Sequence, residues 1–258
     1  MDNLIVEKPI NPALRVILIV AAWLAVIGYL LSGLISVIAT FSAGELLGLE
    51  TILAILLRNG FQQFLMSVAF ILFAVFITVY CLKGKGKILS AAFYAVLAVC
   101  YAVSWLGTLI NIISVISQGL NMEAIINSLL DDVFLMGMGG FICIFALVAA
   151  ITVLIGRAGK IFSIITSALG ILYQVIAMII NFAILIALMQ DPDSLAASLN
   201  APSYLSAIVS NVAVMFLFIL ALVSAIVIKL PGAKKKAVEA PVEVSEELPV
   251  EEAPVANE

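Results

Sequence analysis

The chain has 258 residues, of which 65% are hydrophobic and 11% are charged, with a formal net charge of −4. Because charged residues make up about a quarter of an ordinary soluble domain, this composition excludes a soluble globular protein and predicts a membrane protein. The chain has no histidine, so it lacks the commonest metal ligand and the commonest general base, and we expect neither a metal site nor a cofactor.

Six uncharged stretches follow one another along the chain, and each is long enough to cross a bilayer as a helix. A helix rising ~1.5 Å per residue needs about 20 residues to span a hydrocarbon core of ~30 Å. The apolar runs are continuous and not alternating, which favours helices over barrel strands. The sequence therefore predicts an all-α, polytopic membrane protein with six transmembrane helices. The stretches are 16–44, 61–82, 88–122, 133–156, 161–190 and 194–228.

Positive charge is concentrated at one end of the predicted spans. The connections at the other end contain one basic residue, Arg58, against seven acidic residues. By the positive-inside rule, both termini are expected in the cytoplasm and the protein in the plasma membrane. The basic residues at the expected cytoplasmic end are Lys8, Arg15, Lys83, Lys85, Lys87, Arg157, Lys160, Lys229 and Lys234 to Lys236.

The predicted membrane domain, 13–230, follows a short N-terminal cytoplasmic segment, 1–12, and repeats a pattern of charge. Arg15, Lys87 and Lys160 each open a long apolar stretch and lie 72 and then 73 residues apart. A tyrosine follows each of them at nearly equal distance, at Tyr29, Tyr101 and Tyr173. This spacing predicts three helical hairpins around a central axis, with repeats at 15–86, 87–159 and 160–233. The alternative is that any six-span protein with short loops looks periodic at this level.

Three two-helix repeats are also the architecture of mitochondrial carriers, and the chain is similar to that family in this respect alone. The prolines and the acidic and basic residues at the helix kinks of those carriers are missing here. The resemblance therefore implies nothing about function.

The first span of each hairpin is predicted to be longer than the second, with 29, 35 and 30 uncharged residues. The connection within each hairpin is expected to form a short helix at the membrane surface. In 119–132, for example, apolar residues such as Met122 and Ile126 fall on one side and Asp131 and Asp132 on the other.

Polar residues within the spans are the candidates for a site. Tyr101, Ser104, Thr108 and Asn111 fall within an arc of about 80° on the third span, and Gln174 and Asn181 lie on one face of the fifth. The first span has small residues instead, at Ala21, Ala25, Gly28, Ser32 and Ser36. Such residues serve helix packing in most membrane proteins. The other interpretation is that these faces converge on the axis and line a path for a weakly polar solute.

The tail, 231–258, is basic at first and then acidic. Residues 237–258 contain seven acids and no Lys or Arg, so the segment is expected to be disordered in the cytoplasm. The simpler interpretation is a solvated tail, and the other is a docking site for a basic protein partner. Lys229 and Lys234 to Lys236 are expected to anchor the topology, and the other interpretation is that they attract anionic lipid. No pattern for binding nucleic acid is present.

Two functional classes fit these features. The first is a non-enzymatic scaffold or accessory component that acts through the acidic tail. The second is a small transporter or channel for an uncharged or weakly polar solute, since no ionisable residue lies clearly within a span. Enzymatic activity is not expected, because the adjacent Asp131 and Asp132 point about 100° apart on a helix and Lys87 and Lys160 lie at a wet edge, where a lysine keeps its proton.

Overall fold

A computed structural model describes residues 11–42, 49–117, 122–155, 158–190 and 195–227. These ranges form six helices and contain no strand, and each helix is long and apolar enough to cross a membrane. The prediction of an all-α, multi-pass membrane protein is thereby confirmed. The helices are α1 (Pro12–Ser42), α2 (Leu49–Lys83), α3 (Lys87–Ser117), α4 (Met122–Ile155), α5 (Gly159–Met189) and α6 (Leu195–Val227).

The six helices form a closed ring in the order of the chain. Each helix packs against the next, and α6 returns to pack against α1. We call the end of the bundle where α1, α3 and α5 begin the terminal end, and the opposite end the distal end. The predicted hairpins α1–α2, α3–α4 and α5–α6 are therefore neighbours around one centre, while their origin by duplication stays a prediction.

Aromatic side chains fill the centre of the ring in its terminal half. Phe70, Phe73, Phe93 and Phe218 are fully buried, and the rings of Phe73 and Phe93 lie 5.1 Å apart between centroids. Large apolar residues such as Leu24 and Leu106 are exposed on the outside, where lipid covers them at no cost. The bundle thus has an aromatic core and a lipid-facing surface.

Within the described residues, the second helix of each hairpin is longer than the first. Helices α1, α3 and α5 have 31 residues each, and α2, α4 and α6 have 35, 34 and 33. The predicted difference in apolar span stays a prediction, because the side chains at the distal ends of α2, α4 and α6 lie outside the described residues.

The predicted surface helix at 119–132 is wrong as a separate element. The backbone from Met122 onward is part of one continuous helix, α4. Backbone hydrogen bonding in a helix does not depend on the polarity of the side chains, so the helix continues through this polar stretch of the sequence. Residues 118–121 lie outside the described ranges.

Two cations at the terminal end hold the hairpins together. Arg15 Nη1 donates to the Cys81 carbonyl at 3.4 Å, and Lys160 Nζ donates to the Ile226 carbonyl at 3.1 Å. Each bond joins residues 66 apart in sequence, in the first and the third hairpin. A cation is favourable there because the last carbonyls of a helix have no partner within the helix and carry partial negative charge.

Several predictions fall outside the described residues and stay predictions. They are the segment before Asn11 and the tail with Lys229 and Lys234 to Lys236. The side chains of Arg58, Asp131 and Asp132 are also outside the described part of the structure.

Candidate functional site

A cavity of about 280 Å³ lies inside the ring, extending from its middle toward the distal end. Five helices line it, namely α1, α2, α3, α5 and α6. The exposed side chain of Gln62 on α2 belongs to its wall, so the cavity opens to the surroundings there. With about 30 Å³ per water molecule in the liquid, a volume of this size has room for about nine waters.

The described residues of the cavity wall are polar and include no Asp, Glu, Lys or Arg. Its polar groups are hydroxyls and carboxamides, including those of Ser32, Gln63, Ser104 and Asn211. Such groups both donate and accept hydrogen bonds. The cavity is therefore suited to a neutral molecule with several hydrogen-bonding groups.

Three tyrosines at equal spacing contribute to this wall. Tyr29, Tyr101 and Tyr173 lie 72 residues apart along the chain and occupy α1, α3 and α5. The rings of Tyr101 and Tyr173 meet edge to face with centroids 5.6 Å apart, and Tyr29 stacks on Phe70 at 4.4 Å. The sequence spacing that suggested three hairpins thus brings three phenols to one cavity.

Hydrogen bonds across helices fix two of these tyrosines. Tyr29 Oη donates to Gln63 Oε1 at 3.1 Å, and Gln63 Nε2 donates back to the Tyr29 carbonyl at 3.4 Å. Gln174 Nε2 donates to Tyr101 Oη at 3.2 Å. The other amide atom, Gln174 Oε1, is buried and makes no hydrogen bond with any described residue, so the wall holds an unused acceptor.

The predicted polar residues divide into two groups. Tyr101, Ser104 and Gln174 line the cavity, while Thr108 and Asn181 do not. Thr108 Oγ1 donates to the Ser104 carbonyl of its own helix at 3.2 Å, which satisfies the hydroxyl without a partner from another helix. The side chain of Asn111 is outside the described residues.

Sequence reasoning missed the contribution of the second helices. Gln62 and Gln63 on α2, and Ser206, Ser210 and Asn211 on α6, line the cavity as well. One signal was available, because Gln62 and Ser206 are 144 residues apart, which is twice the 72-residue spacing of the tyrosines.

Helix α4 packs against α3, one of the helices of the cavity wall, through two glycines. A methyl group at Gly139 would lie 3.7 Å from the Tyr101 ring, and one at Gly140 would lie 3.5 Å from the Trp105 ring. The missing side chains let α4 approach closely, as small residues do in membrane helix packing. Gly139 and Gly140 therefore act as supports for the aromatic rings of α3.

On the terminal side of Tyr101, α5 and α6 meet in a close aromatic contact. Phe218 on α6 packs directly over Gly170 on α5, where an added methyl group would overlap its ring. Phe218 also lies 6.2 Å from Tyr101 between ring centroids. Phe218 therefore lies between the cavity wall at Tyr101 and the part of α5 that begins at Gly170.

Beyond Phe218, the buried face of α5 remains small and polar. It consists of Gly170, Ser167, Thr166, Ser163 and Gly159. The hydroxyls of Thr166 and Ser167 donate to carbonyls of their own helix at 2.8 Å each, and the buried Tyr94 of α3 lies against Ser163 and Ser167.

No protein-family model, no curated protein and no solved structure matches this chain. The fold defines a multi-pass membrane protein, and the site defines a neutral polar cavity within it.

Proposed function

We propose that the protein binds a small, uncharged, hydrogen-bonding solute in the central cavity and carries it across the membrane. The observation that supports this proposal is the cavity itself, whose described wall combines hydroxyls and carboxamides from five helices and has no charged residue among them. A charged solute would lose its hydration there without meeting an opposite charge, at a cost of several kcal/mol. A neutral solute exchanges its hydrogen bonds with water for bonds to the wall.

The buried face of α5 supports passage rather than binding alone. From Gln174 at the cavity to Ser163, eleven residues of helix cover about 16 Å, roughly half of a ~30 Å hydrocarbon core. This face carries no large apolar side chain. Movement of Phe218 away from Gly170 would remove the first contact between the cavity and this face, so we assign Phe218 as the barrier nearest the cavity, ahead of the other aromatic side chains of the core.

For transport, we propose that the protein lies in the plasma membrane with its terminal end on the cytoplasmic side. Of the basic residues in the described helices and loops, Arg15, Lys83, Lys85, Lys87 and Lys160 lie at this end, and Arg58 lies in the distal part of α2. Lys and Arg near the ends of spans remain on the cytoplasmic side during insertion. The cavity then opens on the outer side.

The scaffold or accessory role stays a prediction. It depends on residues 237–258, which lie outside the described ranges. No observation on the described helices favours it over the cavity.

Osmotic swelling of proteoliposomes tests the proposal with a panel of small neutral solutes. Vesicles containing the purified full chain are mixed with urea, glycerol, erythritol or xylitol, and the rate of volume recovery is followed by light scattering. We expect at least one of these solutes to enter faster than into protein-free vesicles. The Ser104→Leu variant, which fills the cavity, should lose most of this increase.

The matched control is Thr108→Leu, one turn further along α3 and outside the cavity wall. It should retain the wild-type rate. Transport would be contradicted if no solute entered faster than into protein-free vesicles, or if both variants slowed entry equally.

A further inference from the structure

A second concave surface lies at the terminal end, between the last turns of α2 and the first turn of α3. This groove has a volume of about 410 Å³ and is lined by Val79, Tyr80, Lys85, Lys87, Ile88 and Leu89, together with Gly84 and Gly86. It is remote from the central cavity and shares no residue with it. Its position at the end of two membrane spans places it at the boundary of lipid and water.

The loop of the groove is held in one shape by its glycines. Gly84 has a φ of 65°, a left-handed conformation that ends α2, and its N–H donates to the Tyr80 carbonyl at 2.8 Å. Gly86 lies against Phe76, whose ring would be 3.0 Å from an added methyl group. The two lysines of the loop therefore extend from a backbone that is packed on α2.

The lysines of the groove differ from the cations of the other two hairpins. Arg15 and Lys160 donate to carbonyls at the ends of α2 and α6. Lys87, which is the corresponding residue of the second hairpin, makes no hydrogen bond or ion pair with any described residue, and neither does Lys85. Two positive charges at one groove are thus left without a counter-charge from the described protein.

The apolar part of the groove continues toward the membrane. Ile88 is 77% exposed, and Val79 and Leu89 are partly exposed beside it. The apolar residues lie on the side of the membrane interior and the two lysines lie on the side of the water. This arrangement matches a molecule with an acyl chain and an anionic headgroup. The first N–H groups of α3 add to the attraction, because they have no partner within the helix.

We propose that this groove binds one anionic phospholipid, with the phosphate at Lys85 and Lys87 and an acyl chain along Val79 and Ile88. The site is independent of the solute cavity and of the direction in which the protein is inserted. The membrane itself supplies the ligand, so the quantity that defines the site is its preference for an anionic over a zwitterionic headgroup.

Titration of the full chain in detergent with phosphatidylglycerol or phosphatidylcholine, followed by native mass spectrometry, tests this proposal. We expect one phosphatidylglycerol to bind in preference to phosphatidylcholine. In the double variant Lys85→Gln with Lys87→Gln, that affinity should fall about 30-fold, since each lysine near an anionic lipid contributes about fivefold. A thermal unfolding transition with the same midpoint as the wild type will show that the double variant is folded.

The matched control is Lys83→Gln. Lys83 is exposed at the end of α2, two residues before Lys85, but it does not line the groove. Its variant should therefore bind phosphatidylglycerol like the wild type. Equal affinity for the two lipids would overturn the proposal, as would an equal loss in the control. Competition by glycerol 3-phosphate at the same concentration as the lipid would show a free-phosphate site instead and would also overturn it.

Discussion

Replacement of Gln174 by leucine separates a functional role of the cavity from a role in packing. The change removes the hydrogen bond from Gln174 Nε2 to Tyr101 Oη, of 3.2 Å. Such bonds between membrane helices contribute about 0.6 kcal/mol on average. It also removes a buried carbonyl oxygen that has no partner among the described residues, and an unsatisfied buried group costs about 1–3 kcal/mol.

The two effects oppose one another, so the free energy of unfolding of Gln174→Leu should be unchanged or higher by up to about 2 kcal/mol. Solute entry should nevertheless fall about tenfold, which corresponds to about 1.4 kcal/mol, because leucine replaces a polar side chain of the cavity wall and releases the Tyr101 hydroxyl that Gln174 holds. Unfolding is measured by titration with denaturing detergent, and entry by vesicle swelling.

The control for this experiment is Asn181→Leu, on the same helix but outside the cavity wall, which should leave entry unchanged. The reasoning would be refuted if Gln174→Leu unfolded more easily by more than about 1 kcal/mol while solute entry stayed at the wild-type rate. That pair of results would mean that Gln174 serves helix association.

Three further predictions concern a glycine contact, a hydrogen bond at a helix end and the orientation in the membrane. Gly170→Ala should lower the free energy of unfolding by about 1–3 kcal/mol, because its methyl group overlaps Phe218. Gly137→Ala meets no atom within 4 Å and should be neutral or stabilising by up to about 1 kcal/mol; equal losses in the two variants would contradict this account. Arg15→Gln should lower the thermal midpoint of unfolding by weakening the bond to the end of α2, and an unchanged midpoint would count against that bond. Lys85→Cys should react with an impermeant thiol reagent in inverted vesicles and not in right-side-out vesicles, whereas the opposite pattern would reverse the proposed orientation.

The sequence predicts the six spans well because lipid imposes a simple rule. A chain that crosses a bilayer must satisfy its backbone within a helix and expose apolar side chains, and both demands appear as long uncharged runs. The ends of the second helices were harder to predict. Met122 to Asp132 looked like a separate surface element because of its polar residues, yet a helix outside the hydrocarbon core continues regardless of polarity.

The candidate site is only partly visible in the sequence. Tyr101, Ser104 and Gln174 were found because polar residues on an apolar helix are unusual. Thr108 looked equally promising, but a threonine hydroxyl that bonds to its own helix needs no partner and indicates no site.

The closing contact of the cavity was not predictable. Gly170 and Phe218 come from different helices, and which face of each helix turns inward is decided by packing around the whole ring. Ser206 and Asn211 were missed for the same reason, since the side of α6 that faces the cavity is fixed by its contacts with α5 and α1.

The most direct test of the solute cavity compares two single-cysteine variants of α3 after replacement of Cys81, Cys100 and Cys143 by alanine. Ser104→Cys places a thiol in the cavity wall, and Leu106→Cys places one on the lipid-facing surface. We predict that a water-soluble, impermeant methanethiosulfonate added at the distal side modifies the first and not the second, and that a transported solute slows the reaction. Equal modification of both thiols, or no reaction at Ser104→Cys, would contradict a water-accessible cavity within the ring.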